Sequence, residues 1–193
     1  MVKAAQIKYL EEWPSYFKGK TRPVEQVSWD DIQLFNKTLK TLFESNKVTF
    51  MEFKKPEGAF GLPSETQWEY TANADQGLIF AGSQNPDDVA WYKENSNGQT
   101  MPVGLKQPNA WGLFDMSGNV WQWSADDYIV NLNEIAKNGL PNFEKGRSKA
   151  LRGGSYFIIA GDCRLRSRRH YHPVIRSCGF RLVFSPSSSV SER

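Results

Sequence analysis

Both cysteines and both histidines of this chain fall in one stretch near its C-terminal end, as Cys163, His170, His172 and Cys178. His170 and His172 would share one face of an extended strand, the spacing of a two-histidine metal site, but no carboxylate beside them completes a ligand set. The two cysteines could pair, or stay apart with Cys163 as a buried thiol. Two of each type exclude a disulfide-rich scaffold and a four-cysteine zinc site, and leave little for histidine-based metal catalysis. What the stretch does offer is contact chemistry. Tyr156, Phe157, Ile158, Ile159, Tyr171, Val174 and Ile175 stand among Arg164, Arg166, Arg168, Arg169 and Arg176, and aromatic and arginine side chains supply the area and directional donors of binding hot spots.

The charge of the chain is distributed the same way. The net charge is +3, yet residues Tyr156 to Cys178 hold five Arg and one Asp, so this tract carries +4 and the rest of the chain −1. Its composition is selective as well: the chain has 14 Lys, 12 Glu, 9 Gln, 4 Met and 7 Trp, and none of these five types occurs in the tract. Roughly 0.2% of windows of that length would lack all five by chance. A basic tract with arginine and no lysine asks for a cause beyond solubility.

The elements that must hold this tract can be read from periodicity and capping. Ser28-Trp29-Asp30-Asp31 has capping-box spacing, and Ile32, Phe35, Leu39 and Leu42 follow on one face with Lys37 and Lys40 on the other, which predicts an amphipathic helix to about Glu44. Ser64-Glu65-Thr66-Gln67 repeats the box and starts a second helix with Trp68 and Ala72 inward. From Ala74 to Gly112 turn-forming residues dominate and predict irregular chain pinned by aromatics, and Asn131 to Lys149 reads as another polar loop. Leu151-Arg152-Gly153-Gly154-Ser155 and Gly179-Phe180-Arg181-Leu182-Val183-Phe184 read as strand segments bracketing the tract. The 193 residues suit one sizeable core, taken as a single domain over 1–185 with a frayed tail at 186–193. No apolar run is long enough for a membrane span, so no membrane insertion is expected, and Met1-Val2-Lys3-Ala4-Ala5-Gln6 has no apolar signal core.

Five segments in order resemble the signature blocks of the formylglycine-generating-enzyme, or sulfatase-modifying factor, domain. They are Arg22-Pro23-Val24-Glu25-Gln26-Val27-Ser28-Trp29, Leu62-Pro63-Ser64-Glu65-Thr66-Gln67-Trp68-Glu69-Tyr70, Gly112 to Trp123, Leu151-Arg152-Gly153-Gly154-Ser155, and Gly179-Phe180-Arg181. The resemblance implies an α+β C-type lectin fold with two helices, a twisted antiparallel sheet and much irregular structure, in which the family's opening strand, before Tyr16-Phe17-Lys18-Gly19, is missing or replaced. Family membership does not fix activity. The enzymes bind copper through two cysteine thiolates after the Gly-Gly-Ser block; counted from Gly153-Gly154-Ser155, the second falls on Cys163 and the first on Ile158. An isoleucine cannot ligate copper(I), so a divergent or inactive oxidase is the disfavoured alternative.

The lectin-type targets of diversity-generating retroelements, similar in fold, vary just before the closing Gly-Phe-Arg block. Adenine-directed mutation of asparagine codons ending in a pyrimidine never yields Lys, Glu, Gln, Met or Trp, the five types absent here. This resemblance implies a non-catalytic, receptor-like variable protein. It aligns Tyr156, Phe157, Ile158, Ile159, Gly161, Asp162, Arg169, His170, Tyr171, His172, Val174, Ile175, Ser177 and Cys178 with diversified, ligand-binding slots, and Ala160, Cys163, Arg164, Arg168 and Pro173 with framework. Leu165, Arg166 and Ser167 fit either class; Arg166 is counted with the binding surface. Cys178 would then be one sampled outcome. The expected partner is a protein, with a glycan as an alternative; nucleic acid is disfavoured because the framework is faintly acidic. No cofactor is required, but relatives hold a structural calcium ion through the slots of Asp115, Gly118, Val120 and Gln122, here weakened by Gln122 in place of a glutamate. Trp111, Trp121 and Trp123 are expected in the core. Location is unknown from the residues; the resemblance implies surface display or secretion.

Overall fold

The computed structural model describes residues 14–45, 58–135, 138–143, 148–174 and 178–186. Its elements follow in chain order as α1 (Trp29–Glu44), β1 (Gly58–Gly61), α2 (Glu65–Asn73), α3 (Pro86–Val89), β2 (Ala90–Trp91), β3 (Ser117–Gly118), β4 (Gln122–Asp127), β5 (Lys149–Arg152), β6 (Arg168–Tyr171) and β7 (Val183–Pro186). Single turns of 3-10 helix occur at Leu132–Glu134 and Ala160–Cys163.

Both capping boxes form. Ser28 Oγ accepts from the Asp31 amide at 3.1 Å while Asp31 Oδ2 accepts from the Ser28 amide at 2.9 Å. Ser64 Oγ and Gln67 Oε1 do the same across the start of α2 at 3.1 and 2.9 Å. Each box satisfies two of the amides that a helix start leaves without partners. The inward stripes are as expected, with Ile32 buried on α1 and Trp68 and Ala72 buried on α2.

Among the described residues three small sheets stand in place of one broad one. The antiparallel sheet β4-β5-β6 is central, with Trp123 opposite Leu151 and Leu151 opposite Arg169. β1 pairs antiparallel with β7, and β2 pairs in parallel with β3 over two residues. Of the predicted closing strand only its end is regular: Gly179 makes a single bridge to Gln122, and β7 begins at Val183. A Cβ at Gly179 would come within 2.5 Å of the Val24 carbonyl oxygen, so the backbones cross too closely there for a side chain.

Three apolar clusters fill the interior. Val27, Ile32, Leu62, Trp121, Trp123, Leu151 and Cys178 form one; Trp68, Ala72, Ala81, Met116 and Leu165 a second; Phe80, Val89, Ala90, Tyr92 and Cys163 a third. Ile158 packs against both the first and the third, so it lies at their seam. Burial of apolar area is the driving term, at about 25 cal/mol per Å² removed from water. Trp121 and Trp123 are core, as expected; Trp111 is not, since it is 43% exposed and lies edge-on to Tyr70. The opening-strand segment before residue 14 and the tail from 187 lie outside the described residues.

Candidate functional site

The tract leaves the Gly-Gly-Ser turn at Tyr156, crosses the surface, forms β6 on the edge of the central sheet and returns toward α1. Its backbone is fastened to the framework all along. The Tyr156 amide donates to the Asn119 carbonyl at 2.8 Å, and the Tyr156 carbonyl accepts from Ser96 Oγ at 2.7 Å. The Ile158 carbonyl accepts from the Lys93 amide at 2.9 Å, the Leu165 amide donates to Ile79 at 3.0 Å, and the Pro173 carbonyl accepts from the Trp29 amide at 2.9 Å. Gly154 sets the entry: at φ +81° an added Cβ would lie 2.7 Å from Cys163 Sγ and 2.8 Å from its Cα. Only glycine adopts that backbone without penalty, and only glycine lets the turn rest on the Cys163 backbone.

On this fixed path the side chains divide. Phe157, Ile159 and Val174 are each more than half exposed, and Tyr171 is 39% exposed. Tyr156 lies edge-on to Phe17 and to Phe157, at 5.4 and 5.2 Å between ring centroids, which ties the exposed aromatics to the segment before α1. Burial, with Glu25 and Tyr16 adding to it, raises the Tyr156 hydroxyl above its ordinary pKa. Asp162 and Arg169 pair across the surface at 3.2 Å, and the Gly161 carbonyl accepts from Ser167 Oγ at 3.1 Å. On β6, Arg168 and His170 face Tyr128: the guanidinium lies 4.5 Å from the ring centroid and the imidazole stacks at 4.3 Å. His172 follows the end of β6, so it does not share a strand face with His170. Among the described residues no group of three or more His, Cys, Asp or Glu could hold a metal ion.

Two assignments need correction. Cys178 is 1% exposed and belongs to the first core cluster, so it presents nothing to a ligand; the bridge between Val27 and Cys178 draws it inward. Ile158 is only partly exposed because it fills the cluster seam, so its side chain contributes packing more than contact. Arg166 is exposed, and Gly161, Asp162, Arg169, His170, Tyr171 and His172 lie at or near the surface. Ile175 and Ser177 lie outside the described residues.

Neither family metal fits these residues. Cys163 is fully buried among Phe80, Val89, Ala90 and Tyr92, and burial pushes its thiol up to about 12 despite a hydrogen bond from the Ser155 amide. With Ile158 as the other member, the pair offers one protonated thiol and an aliphatic chain where copper(I) wants two thiolates. Cys163 and Cys178 lie in different clusters and form no disulfide with each other. The side chains at two of the four calcium slots, Asp115 and Gln122, are engaged in internal hydrogen bonds. Gln122 Oε1 accepts from Arg181 Nε at 2.6 Å and from Trp68 Nε1 at 2.9 Å, while its amide donates to the Asp115 carbonyl at 2.8 Å. Asp115 Oδ2 takes the Gly104 amide at 2.8 Å and Arg181 donates to the Phe114 carbonyl at 2.9 Å. The positive charge beside this loop is therefore a guanidinium, and a cation held by Gly118, Val120 and Gln122 would have to displace it.

Sequence reasoning missed a buried ionic knot beneath the tract. Arg152, 0% exposed, reaches Glu65 at 3.4 Å, pairs with Glu69 and donates to the Leu165 carbonyl at 2.8 Å. Arg168 grips both oxygens of Glu65, Oε1 through Nε at 2.5 Å and Oε2 through a second nitrogen at 2.8 Å. The signal was present, since Arg152 and Glu65 lie inside signature blocks, but nothing in their spacing shows that they meet.

The sulfatase-modifying factor enzyme 1-like domain model matches residues 3–186. The chain belongs to that family. Chaperone protein LppX of Paenibacillus barcinonensis is 37% identical over 171 residues, covering 65% of this chain and 61% of that protein. The formylglycine-generating enzyme of Mycobacterium tuberculosis is 27% identical over 169 residues, covering 66% of this chain and 52% of the enzyme. The chain thus spans between about half and three fifths of the length of these curated relatives. Among solved structures, Treponema denticola variable protein 1 superposes with a TM-score of 0.77 at 27% identity, covering 90% of this chain and 77% of that one. The sulfatase-modifying factor domain here has the C-type lectin fold of the formylglycine-generating type: α+β, with short helices and small, mostly antiparallel sheets. Among its described residues no helix is long and apolar enough to cross a membrane.

Proposed function

We propose that this domain is a non-catalytic, receptor-like binding module, diversified by a retroelement, that engages a protein ligand through the surface of residues 156–174. The observation that carries the reading is the separation of backbone from side chain. The tract is hydrogen-bonded to the framework along its length, while Phe157, Ile159, Arg169, Tyr171 and Val174 project outward. A fixed backbone bearing exchangeable side chains presents many surfaces at little entropic cost, because the scaffold need not reorder on binding. The five missing residue types and the likeness to a variable protein support the diversification. A protein ligand is favoured over a glycan because the exposed groups are aromatic, aliphatic and arginine side chains together, the mixture typical of protein interfaces.

Two experiments test this. Sequencing around the gene should find a reverse transcriptase and a near-copy of the codons for residues 156–178 that differs at adenines; a neighbourhood without that copy removes the diversification. The chain loaded with copper(I) and offered oxygen and a cysteine-containing peptide should consume no oxygen above the metal-free control, and turnover would restore the oxidase reading.

A further inference from the structure

Beside the tract, α2 and residues 164–168 wall a cleft of about 860 Å³. Glu65, Glu69, Arg152 and Arg168 line it and neutralise one another in the ionic knot. Arg164 and Arg166 also line it, both are exposed, and neither guanidinium has an acidic or hydrogen-bonding partner among the described residues. The cleft therefore carries two uncompensated positive charges on arms that can reach into it. Beside the polar Thr66 and Asn73, its lining offers an apolar and aromatic patch, with Ile79 48% and Tyr70 58% exposed and Leu165 buried.

We propose that this cleft binds an acidic segment of the protein ligand, with Arg164 and Arg166 each taking a carboxylate and Ile79 and Tyr70 covering an apolar side chain between them. The inference rests on the binding-module reading and adds the chemistry of the partner. Charge complementarity selects the occupant. Two arginine forks match carboxylates bidentately. A phosphate backbone suits the place poorly, because Glu69 stays 47% exposed on the wall and the chain outside the tract sums to −1. The volume lies within the range of sites that enclose a short segment. Arg164 aligns with the framework and Arg166 with the exchangeable residues, so the cleft joins a constant anchor to a tunable one.

The test uses the whole chain and a fluorescein-labelled peptide of alternating Glu and Leu, followed by fluorescence anisotropy at low and moderate salt, beside the Gln-for-Glu peptide and a single-stranded oligonucleotide of equal charge. The Glu peptide should bind, the Gln peptide at least about tenfold more weakly, and R164Q/R166Q should lose at least about tenfold while K37Q, a charge removal on α1 away from the cleft, changes affinity by less than about twofold. Both arginines are exposed, so the double variant should keep the parent's thermal midpoint. Equal binding of the Gln peptide, equal loss in K37Q, or tighter binding of the oligonucleotide would each overturn the proposal. A retroelement template with no peptide binding removes the cleft alone; peptide binding without a template removes the diversification and leaves the cleft.

Discussion

On β6 two arginines stand side by side in different physical worlds. Arg168 points inward, holds both oxygens of buried Glu65 and lies over the Tyr128 ring, whereas Arg169 points outward to an exposed pair with Asp162. The same contrast separates Cys163 from Phe157 and Leu165 from Ile159. Inward members are fixed by partners that cannot move without exposing charge or opening a cavity; outward members meet solvent or neighbours on the same surface. A segment can thus be half framework and half repertoire, and the division follows the direction of each side chain more than its position in the chain.

The contrast can be broken at its strongest point with Arg152→Met. Removing the buried guanidinium takes Glu69's partner and leaves Glu65 to Arg168 alone, which should cost about 3–5 kcal/mol in urea unfolding, and a loss below about 1 kcal/mol would mean that the knot is not structural. Gly154→Ala should cost about 1–3 kcal/mol, because the left-handed backbone and the Cys163 contact are both offended. A combined Phe157→Ser, Ile159→Asn and Tyr171→Asn variant should reduce affinity for the cognate ligand by more than about tenfold while each change moves stability by no more than about 0.5 kcal/mol. If that variant unfolds the chain, the outer side chains belong to the framework after all.

A pH measurement sharpens the inward side. The Cys163 thiol, pushed up to about 12 by burial, stays protonated where an unfolded chain's thiol ionises near pH 9. Between those values the folded state binds more protons, so this group's contribution to stability falls as pH rises, by up to about 1.4 kcal/mol per pH unit. Cys163→Ala should flatten that slope. At pH 8 the native thiol should alkylate with iodoacetamide at least about a hundredfold more slowly than in urea, and comparable rates would show it to be accessible.

Much of this was legible before any coordinates. Ser28 and Ser64 announce both helices because a capping box is a local device whose partners lie within one turn. The blocks around Trp123 and Gly153 carry the fold, and the missing lysines mark the tract. What stayed hidden depends on long-range meetings. Trp111 looks like Trp123 in composition, and only the packing sends one to Tyr70 and the other to Leu151. Cys178 reads as part of the tract because the codon rule includes cysteine, while its bridge to Val27 withdraws it. Gln122 reads as a weakened calcium ligand until Arg181, distant in sequence, arrives to hold it.

Among the described residues β6 is also the outermost strand of the central sheet, and an edge strand offers its free backbone to any neighbouring chain. If the tract is diversified as proposed, a region that samples aliphatic and aromatic residues there would run a standing risk of self-association, since chance alone can write a sticky ribbon. Arg168, anchored by Glu65, is a charge that the ionic knot holds at the first position of that edge, and such charges resist edge-to-edge pairing. The knot that stabilises the interior therefore also acts as a gatekeeper for solubility, and it lets the neighbouring positions change with less danger of aggregation.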